Sequence, residues 1–228
     1  MSLAVKRKIE PELVAYLDKK LKDNVIYLAA VKAKLPRIVM VEAARVCVGI
    51  VEATGRNDGP MVELFQETVG GHSREYWCLS FAQSMIAYAE LKTGVKSPLI
   101  ATESTITLWE STPDEYKVKH TPLPGALPIW RNGSAWTGHV EILIAADETK
   151  FSAVGGNTSG TVKPGAVNRN GNGVFYTSRS RAAGPHSRRL LGFIIPFPES
   201  KPAAKKATKR KSAKRKSAKR KSAKRKAA

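Results

Sequence analysis

The sequence predicts an α+β fold in which helices come first, antiparallel strands follow, and a basic tail trails behind. Three observations carry this expectation. Up to Gly94 the apolar residues recur at spacings of three, four and seven. After Leu127 short apolar runs alternate with turn signals. From Lys201 onward the chain is built almost entirely of Lys, Arg, Ala and Ser.

Ile9, Leu13, Tyr16, Leu17 and Leu21 place one apolar face on a first helix, with Pro11 in its opening turn, where a missing N–H costs nothing. A second helix is expected from Ile38 to Val48, after Pro36, with Val39, Ala43, Val46 and Cys47 on or near one face. Cys47 reads there as a small core residue. The turn cluster Asn57-Asp58-Gly59-Pro60 precedes a short helix over Met61 to Val69, which Gly70 and Gly71 end. Cys78 then opens a helix that runs to Gly94 and repeats Ala82, Met85, Ile86 and Ala89 at helical spacing.

Between Gly94 and Thr137 five prolines mark loops, with one strand expected over Leu127 to Arg131. Gly138 to Ile144 and Phe151 to Asn157 read as an antiparallel hairpin turning through residues 146–150, followed by a Gly/Asn-rich loop over 155–173 and a closing strand over Gly192 to Pro196. The expected organisation is a helical extension over residues 1–36, a domain over 37–198 and a disordered Lys/Arg-rich tail over 199–228, since a repeat of Lys-Arg-Lys-Ser-Ala buries nothing.

The 228 residues are 42% apolar, enough for one domain with a substantial core. The net charge is +20, but Lys201 to Ala228 hold fifteen basic residues and no acid, and subtracting these leaves the first 200 residues at only +5. No apolar run approaches the roughly 20 residues that span a bilayer. The N-terminus lacks the apolar segment of a signal peptide, so the chain is expected to be made as a soluble cytoplasmic protein. Two cysteines, Cys47 and Cys78, are too few for a disulfide scaffold and lack metal-site spacing.

Cys78 carries the most chemistry. A thiol reacts as its thiolate, and a helix N-terminus with a histidine nearby lowers its pKa from about 8.5 to roughly 3.5–7.5. Of the four histidines, His72, His120 and His186 fall in loops and read as surface residues, whereas His139 begins a strand after Gly138. A hairpin loop centred on Glu148 sets Ala145 opposite Phe151 and His139 opposite Asn157, about 4.5–5.5 Å apart at Cβ. Asn157 would then hold one imidazole nitrogen and aim the other at Cys78. The expected catalytic set is Cys78, His139 and Asn157, acting through a thioester, with the Cys78 backbone N–H among the oxyanion donors. Trp77, Trp130 and Trp136 lie beside these elements and are expected to line the substrate cleft.

Four segments in order carry a resemblance: Val51-Glu52-Ala53-Thr54-Gly55-Arg56-Asn57-Asp58-Gly59, Glu75-Tyr76-Trp77-Cys78-Leu79-Ser80-Phe81, Gly138-His139-Val140 and Gly155-Gly156-Asn157-Thr158. From about Arg45 to Ile195 the chain resembles the CHAP family of cysteine, histidine-dependent amidohydrolases and peptidases, kin of the NlpC/P60 peptidoglycan hydrolases. The resemblance implies a papain-like α+β fold, with the cysteine helix packed on the sheet that bears the histidine. It also implies cleavage of peptidoglycan amide bonds, as an endopeptidase or an N-acetylmuramoyl-L-alanine amidase. Two departures stand out. Many relatives carry an acid just before the Gly-Asn pair, where this chain has Val154 and Gly155, so the third group is expected to be Asn157. Pro124-Gly125-Ala126 replaces a common Pro-Gly-Asp. Some relatives bind calcium near the cysteine, but Asp58 and Glu52 read as a turn residue and a surface acid, so neither metal nor cofactor is expected.

The tail attracts polyanions in a salt-sensitive way without choosing among them. With a wall hydrolase it becomes an anchor to an anionic envelope, in a protein that acts at the bacterial cell wall after release or export, with a phage or prophage lysin as the favoured source. Two alternatives stand beside it: a basic nucleic-acid-associated protein with a papain-like module, and a cysteine amidase or acyltransferase acting on another substrate. The body, at +5 and without a DNA-reading motif, favours the hydrolase.

Overall fold

The computed structural model describes residues 6–163, 166–182 and 188–198; the basic tail lies outside the described residues. The described chain is a mixed α+β body of six helices and two antiparallel sheets.

Three helices begin at proline, a residue whose fixed φ suits a first turn: α1 (Pro11–Leu21), α3 (Pro36–Val46) and α4 (Pro60–Glu67). Between the first two, α2 (Val25–Lys32) starts at Asn24, whose side chain accepts from the Tyr27 N–H at 2.8 Å. Leu13, Leu17 and Leu21 recur every fourth residue on α1 and are wholly buried. At roughly 2 kcal/mol for each buried leucine, this face fixes the helix in the same core as the residues that follow. The expected boundary at residue 36 is therefore not a packing boundary. The two helices α1 and α2 pack into the same core as the residues that follow.

The central element is α5 (Cys78–Thr93), buried on nearly every side. It is covered by α3 and α4 on one flank and by strands on the other. Gly94 closes it in the left-handed conformation, its N–H returning to the Glu90 carbonyl at 2.9 Å. Beyond it, α6 (Thr105–Ser111), capped by Ser104, occupies a stretch that the prolines marked as loop.

One sheet has the order β1-β7-β2-β3, formed by β1 (Lys117–Val118), β2 (Leu127–Asn132), β3 (Gly138–Val140) and β7 (Arg188–Ile194). The other has the order β4-β5-β6, formed by β4 (Ile142–Ala146), β5 (Lys150–Lys163) and β6 (Ala166–Ser180). The segment expected as a single strand from Gly138 to Ile144 thus serves both sheets, pairing His139 with Trp130 and Ile142 with Val154, and breaks at Glu141. Residues 155–173, expected as loop, are largely drawn into the long β5–β6 hairpin. Gly156 lets β5 lie directly on α5: a Cβ there would stand 2.7 Å from both Phe81 and Trp77. Among the described residues no helix is long and apolar enough to cross a membrane.

Candidate functional site

Cys78 is the first residue of α5, and no side chain caps that end, so first-turn N–H groups face the neighbourhood of the sulfur. His139 comes to it from β3, one of the strands packed on α5. The two side chains lie close enough to shift each other's titration, and they are 7% and 3% exposed respectively. Both cysteines are free thiols, and burial pushes the Cys47 thiol far up, which leaves it inert.

Burial also pushes the Cys78 thiol up, but the hydrogen bond and charge of His139 oppose it, with further hydrogen bonds at the Val140 backbone and Thr105. The balance lies below the ordinary thiol value. For His139 burial acts downward, while Cys78 and Glu141 act upward and prevail, placing it above the usual imidazole value. This pair of opposite shifts favours a thiolate and an imidazolium together.

The carboxylate nearest the imidazole is one that the sequence reading passed over. Glu141 Oε1 lies 3.5 Å from His139 Nε2, an ion-pair separation rather than a hydrogen bond. Arg179 of β6 holds the same oxygen through Nε at 3.0 Å and Nη2 at 2.6 Å. Burial raises the Glu141 carboxyl, but His139 and Arg179 overcome it and bring it down to about 2. A buried anion is thus fixed beside the imidazole by a cation behind it. Glu141 was legible: two residues beyond His139 in an extended segment, it falls on the same side. Arg179 carried no comparable signal, because its strand was not anticipated.

Asn157 lines the same cleft but does another job. Its Nδ2 donates to Glu52 Oε1 at 3.1 Å and to Asn57 Oδ1 at 2.8 Å. The expected register is correct near the strand break, where Ile142 faces Val154 and Leu143 faces Ala153, then slips so that Ala145 faces Ser152 instead of Phe151. The ladder does not extend to His139, which pairs with β2 in the other sheet. Asn157 is therefore not opposite His139 in any ladder, and its amide ties β5 to the 52–57 loop.

Glu52 is the hub of that loop. It accepts the Trp77 Nε1–H at 2.9 Å through Oε1 and the Asn57 backbone N–H at 2.9 Å through Oε2. It is buried, not the surface acid expected, because three donors converge on it. Asp58 closes a turn on Thr54, accepting from its N–H at 2.9 Å and its hydroxyl at 2.6 Å. Among the described residues no group of three or more His, Cys, Asp or Glu side chains is arranged to hold a metal ion.

Cys78 and His139 open into a cleft of about 660 Å³, whose other walls include Asn57, Tyr76, Thr105, Trp136, Asn157 and Arg188. Trp136 lies there as expected and is 78% exposed. Trp77 and Trp130 do not: both are fully buried. Trp77 stacks on Phe65 with ring centroids 5.9 Å apart, and Trp130 stacks on Phe151 at 6.0 Å. Each follows from its position, the first on the inward face where α5 begins and the second in the middle of β2, where apolar aromatic area is more stabilising inside than at a cleft. His72 and His120 are exposed, and His186 lies outside the described residues. No protein-family model, no curated protein and no solved structure matches this chain.

Proposed function

We propose that the protein is a papain-like cysteine amidohydrolase that cleaves amide bonds of peptidoglycan, with Cys78 as nucleophile, His139 as acid and base, and Glu141 as the group that orients the imidazole. The observation that carries this reading is the meeting, at one cleft, of a thiol at a helix N-terminus with a histidine backed by a buried carboxylate. Its order along the chain agrees with the CHAP resemblance.

The Cys78 thiolate attacks the amide carbon, and the carbonyl π-electrons move to oxygen. The Cys78 N–H faces that developing charge. His139 gives its proton to the leaving nitrogen as the C–N bond breaks, leaving a thioester and a free amine. A water then loses a proton to His139 and attacks the thioester carbon, releasing the carboxylic acid, which ionises to solvent, and restoring the thiolate–imidazolium pair. Glu141 stabilises the imidazolium and holds its ring, and Arg179 keeps Glu141 ionised.

The family's acid before Gly-Asn is replaced here by Gly155, and Glu141 packs against that glycine. In this reading the carboxylate has moved from one strand to another while keeping its place beside the histidine. The basic tail is proposed to hold the enzyme on anionic envelope polymers, raising its effective concentration; a tail-less protein that still binds envelopes at low salt would remove that role.

The test is release of soluble fragments and free amines from purified peptidoglycan by the wild type, Cys78→Ala and Glu141→Gln, each first shown to be folded by circular dichroism. Fragments from the wild type alone, with a strong loss in the Glu141 variant, support the reading, and their masses distinguish amidase from endopeptidase. No release from several wall types by a folded wild type rejects it.

A further inference from the structure

Two arginines line the cleft, and they differ in what holds them. Arg179 is held on a carboxylate: Nε and Nη2 grip Glu141, and Nη2 also donates to Thr158 Oγ1 at 3.1 Å. Arg188, the first residue of β7, uses only its Nε, which donates to Asn132 Oδ1 at 2.8 Å. Asn132 faces Arg188 across the β2–β7 ladder and is itself held, donating from Nδ2 to Thr137 Oγ1 at 3.0 Å. The stem of the guanidinium is therefore fixed, while among the described residues neither Nη group has an acceptor and no carboxylate lies within ion-pair distance.

The charges around it sharpen this asymmetry. In a thiolate–imidazolium pair the charges of Cys78 and His139 cancel, and Glu141 offsets Arg179. Glu52 is occupied by three N–H donors. Glu103, on another wall, is pushed up by burial and by the neighbouring Glu75, and among the described residues no ion pair joins it to Arg188. Burial disfavours the Arg188 cation, and the nearby Arg179 adds to that; the charges of Cys78 and Glu141 favour it. Arg188 is thus a cation lining the same cleft as Cys78, anchored through its Nε, and among the described residues no carboxylate lies within ion-pair distance of it.

We propose that Arg188 binds a carboxylate carried by the substrate beside the scissile amide, so that the cleft selects acidic peptides over neutral ones. A guanidinium with Nε already held presents both Nη groups to a carboxylate in a fixed plane, a geometry that a lysine ammonium does not reproduce. The inference rests on Cys78 being the nucleophile of this cleft and narrows the substrate to peptides with a free carboxyl group near the cleaved bond.

The test uses the full chain and two small alkylating reagents of nearly equal size, iodoacetate and iodoacetamide. In both, the Cys78 thiolate displaces iodide from the methylene carbon to form a thioether; only iodoacetate carries a carboxylate. Adducts are read by mass on the peptide containing Cys78, separately from that containing Cys47. The readout is the ratio of the two rate constants, so any general loss of reactivity cancels. The ratio of iodoacetate to iodoacetamide is expected to fall about tenfold in Arg188→Gln, with partial recovery in Arg188→Lys. An unchanged ratio in Arg188→Gln overturns the proposal, as does a folded wild type whose Cys78 reacts with neither reagent. The peptidoglycan assay separates the two readings. A lost ratio with no wall digestion by the wild type keeps the carboxylate subsite and rejects the wall substrate. Digestion with an unchanged ratio does the reverse.

Discussion

Gly155 makes room for Glu141: a Cβ added to the glycine would stand 3.0 Å from the glutamate Cγ and 3.3 Å from its Oε1. The backbone of Gly155 does not require glycine, since its φ is not among the positive values, so the constraint is one of space. The carboxylate beside His139 is consequently positioned from two strands at once, by its own backbone and by a neighbour that offers no side chain.

Gly155→Ala therefore is expected to displace the Glu141 carboxylate by a few tenths of an ångström without unfolding the chain. The second-order rate of Cys78 alkylation by iodoacetamide at neutral pH should fall several-fold while the far-ultraviolet circular dichroism stays unchanged. A rate equal to wild type would mean that the carboxylate position does not influence the thiolate.

Removing the carboxylate separates charge from packing. Glu141→Ala leaves Arg179, whose side chain is only 16% exposed, without its buried partner, a change that costs about 3–5 kcal/mol. Glu141→Gln keeps a hydrogen-bond acceptor and should cost less. Both lower the His139 pKa, because the nearby anion favours the imidazolium, and both then raise the pH at which the Cys78 thiolate forms. Alkylation rate against pH is expected to shift to higher pH in both variants, and urea unfolding to separate them in stability.

The same shifts give the pH dependence of stability. Glu141 is depressed in the fold, from 4.5 to about 2, so its stabilisation is complete above pH 4.5 and is lost as pH falls from there toward 2. His139 is raised above 6.5, so its contribution is complete below pH 6.5 and is lost as pH rises through its folded value. Cys78, lowered in the fold, acts oppositely to His139 as pH rises, so melting temperature should fall clearly only at the acid end, and that acid limb should flatten in Glu141→Gln.

Glu52 is expected to be structural and Asn157 to act through it. Glu52→Ala leaves the Trp77 indole N–H and the Asn57 N–H without their acceptor, at a cost of about 3 kcal/mol, or a melting temperature lower by roughly 10 °C. Asn157 has φ of 51°, which glycine accepts and alanine resists. Asn157→Gly should keep the alkylation rate within about threefold, since ΔΔG of about 0.6 kcal/mol corresponds to that factor. A hundredfold loss in the glycine variant, with the fold intact, would return Asn157 to the role that the sequence suggested.

The helix that begins at Cys78 was readable because its apolar spacing is regular and Gly94 marks its end. His139 stood out because Gly138 and an extended run surround it. That Glu141 rather than Asn157 lies beside His139 does not follow from a hairpin of continuous strands. The chain instead changes sheets at Glu141, and no local propensity marks such a break. The buried tryptophans were misread for a related reason: adjacency to a reactive residue fixes a position along the chain, whereas the face a side chain takes is set by what packs opposite. Residues 155–173 look like loop by composition, yet the described ones are largely drawn into the β5–β6 ladder, and pairing overrode the weak strand propensity of Gly and Asn.

The change of sheet at Glu141 also gives the site a mechanical character. His139 is anchored to the sheet containing β2, whereas the next ladder partner after Glu141, Ile142, is anchored to the sheet containing β5. The imidazole and its carboxylate therefore straddle a seam, and any sliding of one sheet over the other is converted directly into a change in their separation. Heating or mild denaturant that loosens this seam will silence the cysteine before the chain as a whole comes apart.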